Sequence, residues 1–207
     1  MQWISSGSGI EHAEGGGTPA GMDTEGFQIW VNVPSGNKMD APRYGTHTAE
    51  SIPVLSVDGC SARILAGSSN GLVGPFSTIA DIQMVDFTLQ PNTTYQHVIP
   101  DHLDNCIVYI YRGVGSVGAK NVSKHQVVHV DARDPLARGV TLSTAGASVG
   151  LSVLLFAGKR LRQPIAWRGP FVMTTAAEIK QTVEEYQQGR FLRQRVAWDY
   201  KRISSKR

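Results

Sequence analysis

The stretch RGVGSVGAKNVSKHQVVHVD (Arg112–Asp131) decides the fold class. Its glycines at 113, 115 and 118 match the spacing G-x-G-x-x-G. In a dinucleotide-binding protein that spacing comes after a strand and opens a helix, whose N-terminus then holds the pyrophosphate. An apolar strand pattern, NCIVYIYRG (Asn105–Gly113), does precede it. On its other side, however, lies KNVSKHQVVHVD, with β-branched residues and no helical period. The glycines therefore mark a hairpin, and this part of the chain reads as antiparallel β rather than as a doubly wound α/β sheet.

Outward from the hairpin, the same kind of pattern recurs. ARILAG (Ala62–Gly67), IQMVDFTLQP (Ile82–Pro91), KHQVVHVD (Lys124–Asp131) and GLSVLLFAG (Gly150–Gly158) are short apolar runs separated by turn residues. Their spacing suits a sandwich or barrel. Upstream, FQIWVNVP (Phe27–Pro34) alternates Phe27, Ile29, Val31 and Val33 with Gln28, Trp30 and Asn32, the period-two signature of a half-buried strand. Pro34-Ser35-Gly36 ends it, and residues 34–51, rich in Pro, Gly, Thr and charge, read as a connection between two units. Near the end the period changes to that of a helix. Thr175 and Glu178 have capping-box spacing, Ile179, Val183 and Tyr186 share a face, and Gly189 is a C-terminal stop. RFLRQRVAWDYKRI (Arg190–Ile203) reads as a second, less regular helical stretch.

Bulk properties agree with a folded domain. The 207 residues are 41% hydrophobic, which is ample for a core, and 22 glycines suit many turns. No apolar run approaches the roughly 20 residues that span a membrane. Cys60 and Cys106 belong to no C-x-x-C pair, so they read as buried free thiols rather than a disulfide or zinc framework. The sequons at Asn92 and Asn121 are read as chance. Net charge is +3, concentrated in a basic C-terminal tail from Arg190 to Arg207. No stacking platform accompanies that tail, so direct nucleic-acid binding is not expected and a solvated helix face is the better reading.

The histidines carry the question of chemistry. His125 and His129 would share a strand face but stand about 13 Å apart, too far for one ion. His97 and His102 flank a rigid proline, and His47 sits in the polar connection. His12 and Glu14 differ, because two positions apart in a strand their Cα atoms lie about 6.5–7 Å apart, on one face. An imidazole and a carboxylate so placed suit Fe(II), with Zn, Mn, Ni or Cu as alternatives, although two ligands make no competent site.

Four blocks together resemble the pirin family: QWISSGSGIEHAE (Gln2–Glu14), FQIWVNVPSGNKMDAPRY (Phe27–Tyr44), IPVL (Ile52–Leu55), and the long run from Phe156 to Phe191 that contains Gly169-Pro170-Phe171-Val172-Met173. They occur in the family's order, and the likeness covers essentially the whole chain, with the middle similar in strand pattern more than in residues. The resemblance implies an all-β bicupin of two jelly-roll barrels with a C-terminal helical segment. The expected division is 1–51 for the later part of the first barrel and its linker, 52–172 for the second barrel, and 173–207 for the helical segment and basic tail. It further implies a mononuclear iron held by three histidines and a glutamate, of which His12 and Glu14 match two. The family's other two ligands form an H-x-H pair upstream of the Gln-Trp, where this chain holds nothing, so only half a metal site is expected. In the second barrel His97 alone lies near a ligand position, and no metal is expected there.

The resemblance supports three readings of function. The first is an iron-binding regulator of the transcription-cofactor type, in the nucleus or cytoplasm, that works through a protein partner. The second is oxidation of a flavonol such as quercetin with dioxygen, beside Fe(II), with Glu14 as both ligand and base. The third is a non-catalytic subunit of a larger assembly.

Overall fold

The computed structural model describes residues 1–13, 25–132, 139–194 and 196. Its strands in chain order are β1 (Gln2–Ser5), β2 (Arg43–Thr46), β3 (Val54–Val57), β4 (Cys60–Ala66), β5 (Ser68–Ser69), β6 (Leu72–Val73), β7 (Ile82–Leu89), β8 (Thr94–Val98), β9 (Asn105–Val117), β10 (Lys120–Ser123), β11 (Val127–Val130), β12 (Gly139–Ser143), β13 (Leu151–Gly158), β14 (Ala166–Arg168) and β15 (Phe171–Met173). One α-helix, α1 (Ala176–Gln187), comes after them among the described residues. The expected all-β class with a C-terminal helix is what the chain adopts. Two compact units divide the described residues: Thr46–Arg160 with Met1, and Gln2–Gly45 with the segment from Leu161 onward.

The Thr46–Arg160 unit is built on a curled antiparallel sheet in the order β3-β4-β7-β13-β9-β12-β8, with β10 and β11 both paired to β9, and carries the separate β5-β6 hairpin. Strand β9 organises it. Its first half lies between β11 and β13, with Cys106 opposite Val130 and Ala157, while its second half turns to pair with β10 and β12. Gly113 and Gly115 sit within β9, Gly118 makes the turn, and β10 begins just after it, so the glycine spacing does mark a hairpin. The alternation of β7 sends Val85, Phe87 and Leu89 into the interior, where they pack with Ile64, Val108, Ile110, Leu142, Leu151, Val153 and Leu155. Each such side chain contributes about 1.5–3 kcal/mol on leaving water. Cys60 and Cys106 are buried and unpaired, as their spacing implies.

In the other unit β1 pairs with β2, β14 with β15, and α1 begins directly after β15. Thr175 accepts from the Glu178 amide at 3.2 Å while the Glu178 carboxylate accepts from the Thr175 amide at 2.7 Å, which completes the capping box. Gly189, at φ 67°, ends the helix. Phe171, Tyr186 and Phe191 form an aromatic trio with centroids 5.4–5.7 Å apart.

Two expectations are corrected. FQIWVNVP is not a strand: residues 27–34 carry no ladder, and Phe27, Ile29 and Trp30 are 45%, 40% and 54% exposed. Alternation makes a segment able to pair, but a strand also needs a neighbour for its N–H and C=O groups. Here the segment is held by side chains instead, through Trp30 against Trp167 at 6.0 Å and through Asn32, whose Oδ1 accepts from the buried Lys38 ammonium at 2.7 Å. The second helical stretch is also absent from its described part, since residues 190–194 continue from α1 without helical structure. Like-charged Arg190 and Arg193 and the irregular apolar spacing give that segment little reason to continue the helix.

Candidate functional site

The segment carrying His12 leaves β1 through a tight turn. The Gly9 amide donates to the Ser6 carbonyl at 3.0 Å, and the Ser8 amide to the Asp40 carbonyl at 2.8 Å. Gly9 adopts φ 130° against the Phe191 ring, where a β-carbon would come within 3.1 Å of two ring atoms. Only glycine suits this crossing. His12 itself is exposed, and Glu14, its intended partner on a metal and the one residue assigned a catalytic role, lies outside the described residues.

A mononuclear centre needs three or more protein ligands brought together. Among the described residues no three His, Cys, Asp or Glu side chains are so grouped. The described donor set therefore does not by itself fit an iron ion. The other histidines are engaged separately. His47 stands edge-on to Phe76 at 4.8 Å and meets Ser51 Oγ, His102 meets Asp81 at 3.2 Å, His125 sits in a turn beside the Tyr109 hydroxyl, and His129 meets Asn105 at 2.8 Å.

His97 is the exception in burial. It points into the interior of the Thr46–Arg160 unit, 1% exposed, with its ring edge-on to Phe87 at 5.2 Å. Its Nε2 lies 2.7 Å from Gln83 Oε1. An amide oxygen can only accept, so Nε2 carries the proton and Nδ1 is left as a bare acceptor. Nδ1 is buried and has no hydrogen-bond partner among the described residues. Burial holds the imidazole's pKa down to about 4, so it is neutral near pH 7. Gln83 is 2% exposed and anchored at its other end, where Nε2 donates to the Ser68 carbonyl at 2.6 Å.

A second polar group occupies the opposite face of the same sheet. Asp86, 4% exposed, accepts from Arg63 and from the Tyr111 hydroxyl at 2.8 Å. This bond to Asp86 raises the Arg63 pKa, and burial together with the Asp86 charge raises that of Tyr111. Sequence reading passed over both groups. The signal was present, since Gln83 and Asp86 are polar residues of opposite parity within a mostly apolar strand, and a polar residue on an inward position implies a partner.

Beside Gln83 opens a cleft of about 320 Å³ lined by Ser68, Asn70, Val73, Val98 and Pro100 among others. One wall is the β5-β6 hairpin. Its two turn residues, Asn70 and Gly71, have φ 48° and 77°, the pattern of a type I′ turn for which Asn-Gly is the preferred pair. Asn70 Nδ2 then donates to the Tyr95 hydroxyl at 2.8 Å, which ties the hairpin to β8. Among the described residues no helix is long and apolar enough to cross a membrane.

Comparison with known proteins places this geometry in a family. A family model described as the pirin C-terminal cupin domain matches residues 84–192. A pirin-like protein of Solanum lycopersicum is 35% identical over 192 residues, which are 92% of this chain and 64% of that protein. Pirin-like protein 2 of Arabidopsis thaliana is 33% identical, over 92% of this chain and 59% of its own length. The chain thus spans less than two thirds of these relatives. A protein named putative quercetin 2,3-dioxygenase from Pseudomonas aeruginosa is 32% identical, with 93% and 67% covered. Among solved structures, a quercetin 2,3-dioxygenase from Acinetobacter baumannii superimposes with a TM-score of 0.71 at 27% identity, over 78% of this chain and 55% of that one.

Proposed function

This chain belongs to the pirin family, and on that premise we propose that it serves as a regulatory cupin of the iron-binding kind, working through contact with a protein partner. His12 and Glu14 are its contribution to the metal site. The observation that supports this reading is the place of His12: it stands exposed, just beyond a turn fixed by Gly9 against Phe191. An imidazole and a carboxylate on one short segment are a mixed nitrogen and oxygen donor pair suited to Fe(II). Two donors bind weakly, so occupancy depends on further ligands from outside the described residues.

The second reading is flavonol oxidation of the quercetin 2,3-dioxygenase type. It is favoured by the names of the Pseudomonas and Acinetobacter relatives. Bound iron would supply redox and Lewis-acid chemistry to that reaction.

Iron uptake and quercetin absorbance together separate the two. The purified chain is dialysed against Fe(II) without oxygen, and its metal content is compared with that of His12→Ala and Glu14→Gln. The regulatory reading expects weak binding by the parent, loss of that binding in both variants, and no decay of quercetin absorbance in air. Unchanged iron in His12→Ala would overturn the ligand assignment. Catalytic loss of quercetin would transfer the conclusion to the dioxygenase reading.

A further inference from the structure

The Thr46–Arg160 unit contains a polar site that owes nothing to His12 or Glu14. Its interior is apolar along β7 and β8 except at one end, where Gln83 and His97 face each other. Two buried polar side chains in a hydrocarbon interior are costly unless each hydrogen-bonding position is used. Here the pairing is directional. His97 donates to Gln83 Oε1, which turns the amide nitrogen towards the Ser68 carbonyl. That nitrogen carries two hydrogens, and one of them serves Ser68. Gln83 also lines the cleft of about 320 Å³ beside the β5-β6 hairpin.

We propose that this cleft binds a small neutral polyol, with the Gln83 amide at its base, Ser68 and Asn70 on the polar side, and Val73, Val98 and Pro100 on the apolar side. The lining chemistry selects the class. Among the described residues no charged side chain lines the cleft, so an ionic ligand would lose hydration without a counter-charge. A polyol presents hydroxyls that accept from the amide and exchange bonds with serine and asparagine, while its C–H faces lie on the valines and the proline. At about 320 Å³ the cleft is at the small end of ligand sites, which fits a molecule of monosaccharide size. Val73 and Val98, 68% and 67% exposed, form an apolar rim that such a ligand would cover. His97 reports on occupancy, because any new bond to the Gln83 amide alters the one that Gln83 accepts from Nε2.

The test reads the His97 imidazole by long-range proton–nitrogen NMR while methyl glucoside is added, with gluconate as the charged control. The expected result is a saturable shift at Nε2 with a Kd of about 1 mM or tighter for the glucoside and none for gluconate. Val98→Trp, which lays a ring over the cleft from an exposed position, should remove the response while the unfolding transition stays cooperative. Asn70→Ala provides a second variant, in which the affinity should fall at least threefold. Absence of a saturable shift by about 10 mM, an equal response to gluconate, or an undiminished shift in both variants overturns the proposal. None of these readouts involves iron, so this site and the metal reading stand or fall separately.

Discussion

His97 donates to Gln83 across 2.7 Å in the interior of the Thr46–Arg160 unit; this bond fixes the imidazole's tautomer, while burial keeps the ring neutral. A neutral buried histidine makes stability depend on pH in a stated direction. Its pKa is about 4 folded, against 6.5 for an unperturbed histidine. Above the unfolded value the contribution is complete. As pH falls from about 6.5 towards 4 the unfolded chain takes up a proton that the folded chain refuses, so stability declines. The full decline is on the order of 3 kcal/mol. Urea unfolding at pH 7.5 and 5 should show about 2 kcal/mol of it, and His97→Gln should flatten the difference. An unchanged slope in that variant would mean that other groups set the pH dependence.

Replacing Gln83 by Leu leaves the imidazole N–H buried without an acceptor. The expected cost is about 1–3 kcal/mol, most of it from desolvation of the orphaned donor. His97→Leu in the same background removes the orphan, so the double variant should be more stable than Gln83→Leu alone. Urea midpoints for the four proteins of the cycle measure this coupling. Additive effects would show that the two side chains do not act as a pair.

The sequence made most of the fold legible where one residue type admits one geometry. The glycines at 113, 115 and 118 followed by β-branched residues state a hairpin, and Thr175 with Glu178 states a helix start; β9-β10 and α1 are found there. FQIWVNVP misled because alternation records the capacity to pair and says nothing about whether a neighbour is present. The expectation at His12 rests on a local motif, whose second member, Glu14, lies outside the described residues. Gln83 showed only as a polar residue in an apolar run; that His97 is its partner was not legible, because the pair joins residues on different strands.

The capping box at Thr175 holds the start of α1 by two reciprocal bonds, at 3.2 Å and 2.7 Å. Thr175→Ala removes the acceptor for the Glu178 amide and should cost about 1 kcal/mol, whereas Thr175→Ser should cost little. Hydrogen exchange at the first-turn amides of α1 is the direct measurement. Faster exchange confined to that turn is expected. No change would show that packing of Ile179 and Tyr186 alone sets the helix boundary.

The two cysteines offer a measure of how the Thr46–Arg160 unit opens. Burial pushes their pKa values up, to about 11 for Cys60 and about 12 for Cys106, so the folded protein holds almost no thiolate near pH 8. Labelling by a thiol reagent must then await opening of the structure. Their positions predict different openings. Cys106 is fully buried in the middle of the sheet, opposite Val130 on one side and Ala157 on the other. Cys60 stands at the first position of β4, next to the Asp58-Gly59 turn, where Val57 and Leu89 face it. Separation of β3 from the edge therefore exposes Cys60 while the centre remains closed. Cys60 should label at least tenfold faster than Cys106, a difference of about 1.4 kcal/mol in opening free energy. Cys106 should track global unfolding, with a labelling rate that rises with urea along the same slope as the equilibrium transition. Equal rates at both thiols would mean that the edge strand does not open independently and that the sheet behaves as one cooperative unit.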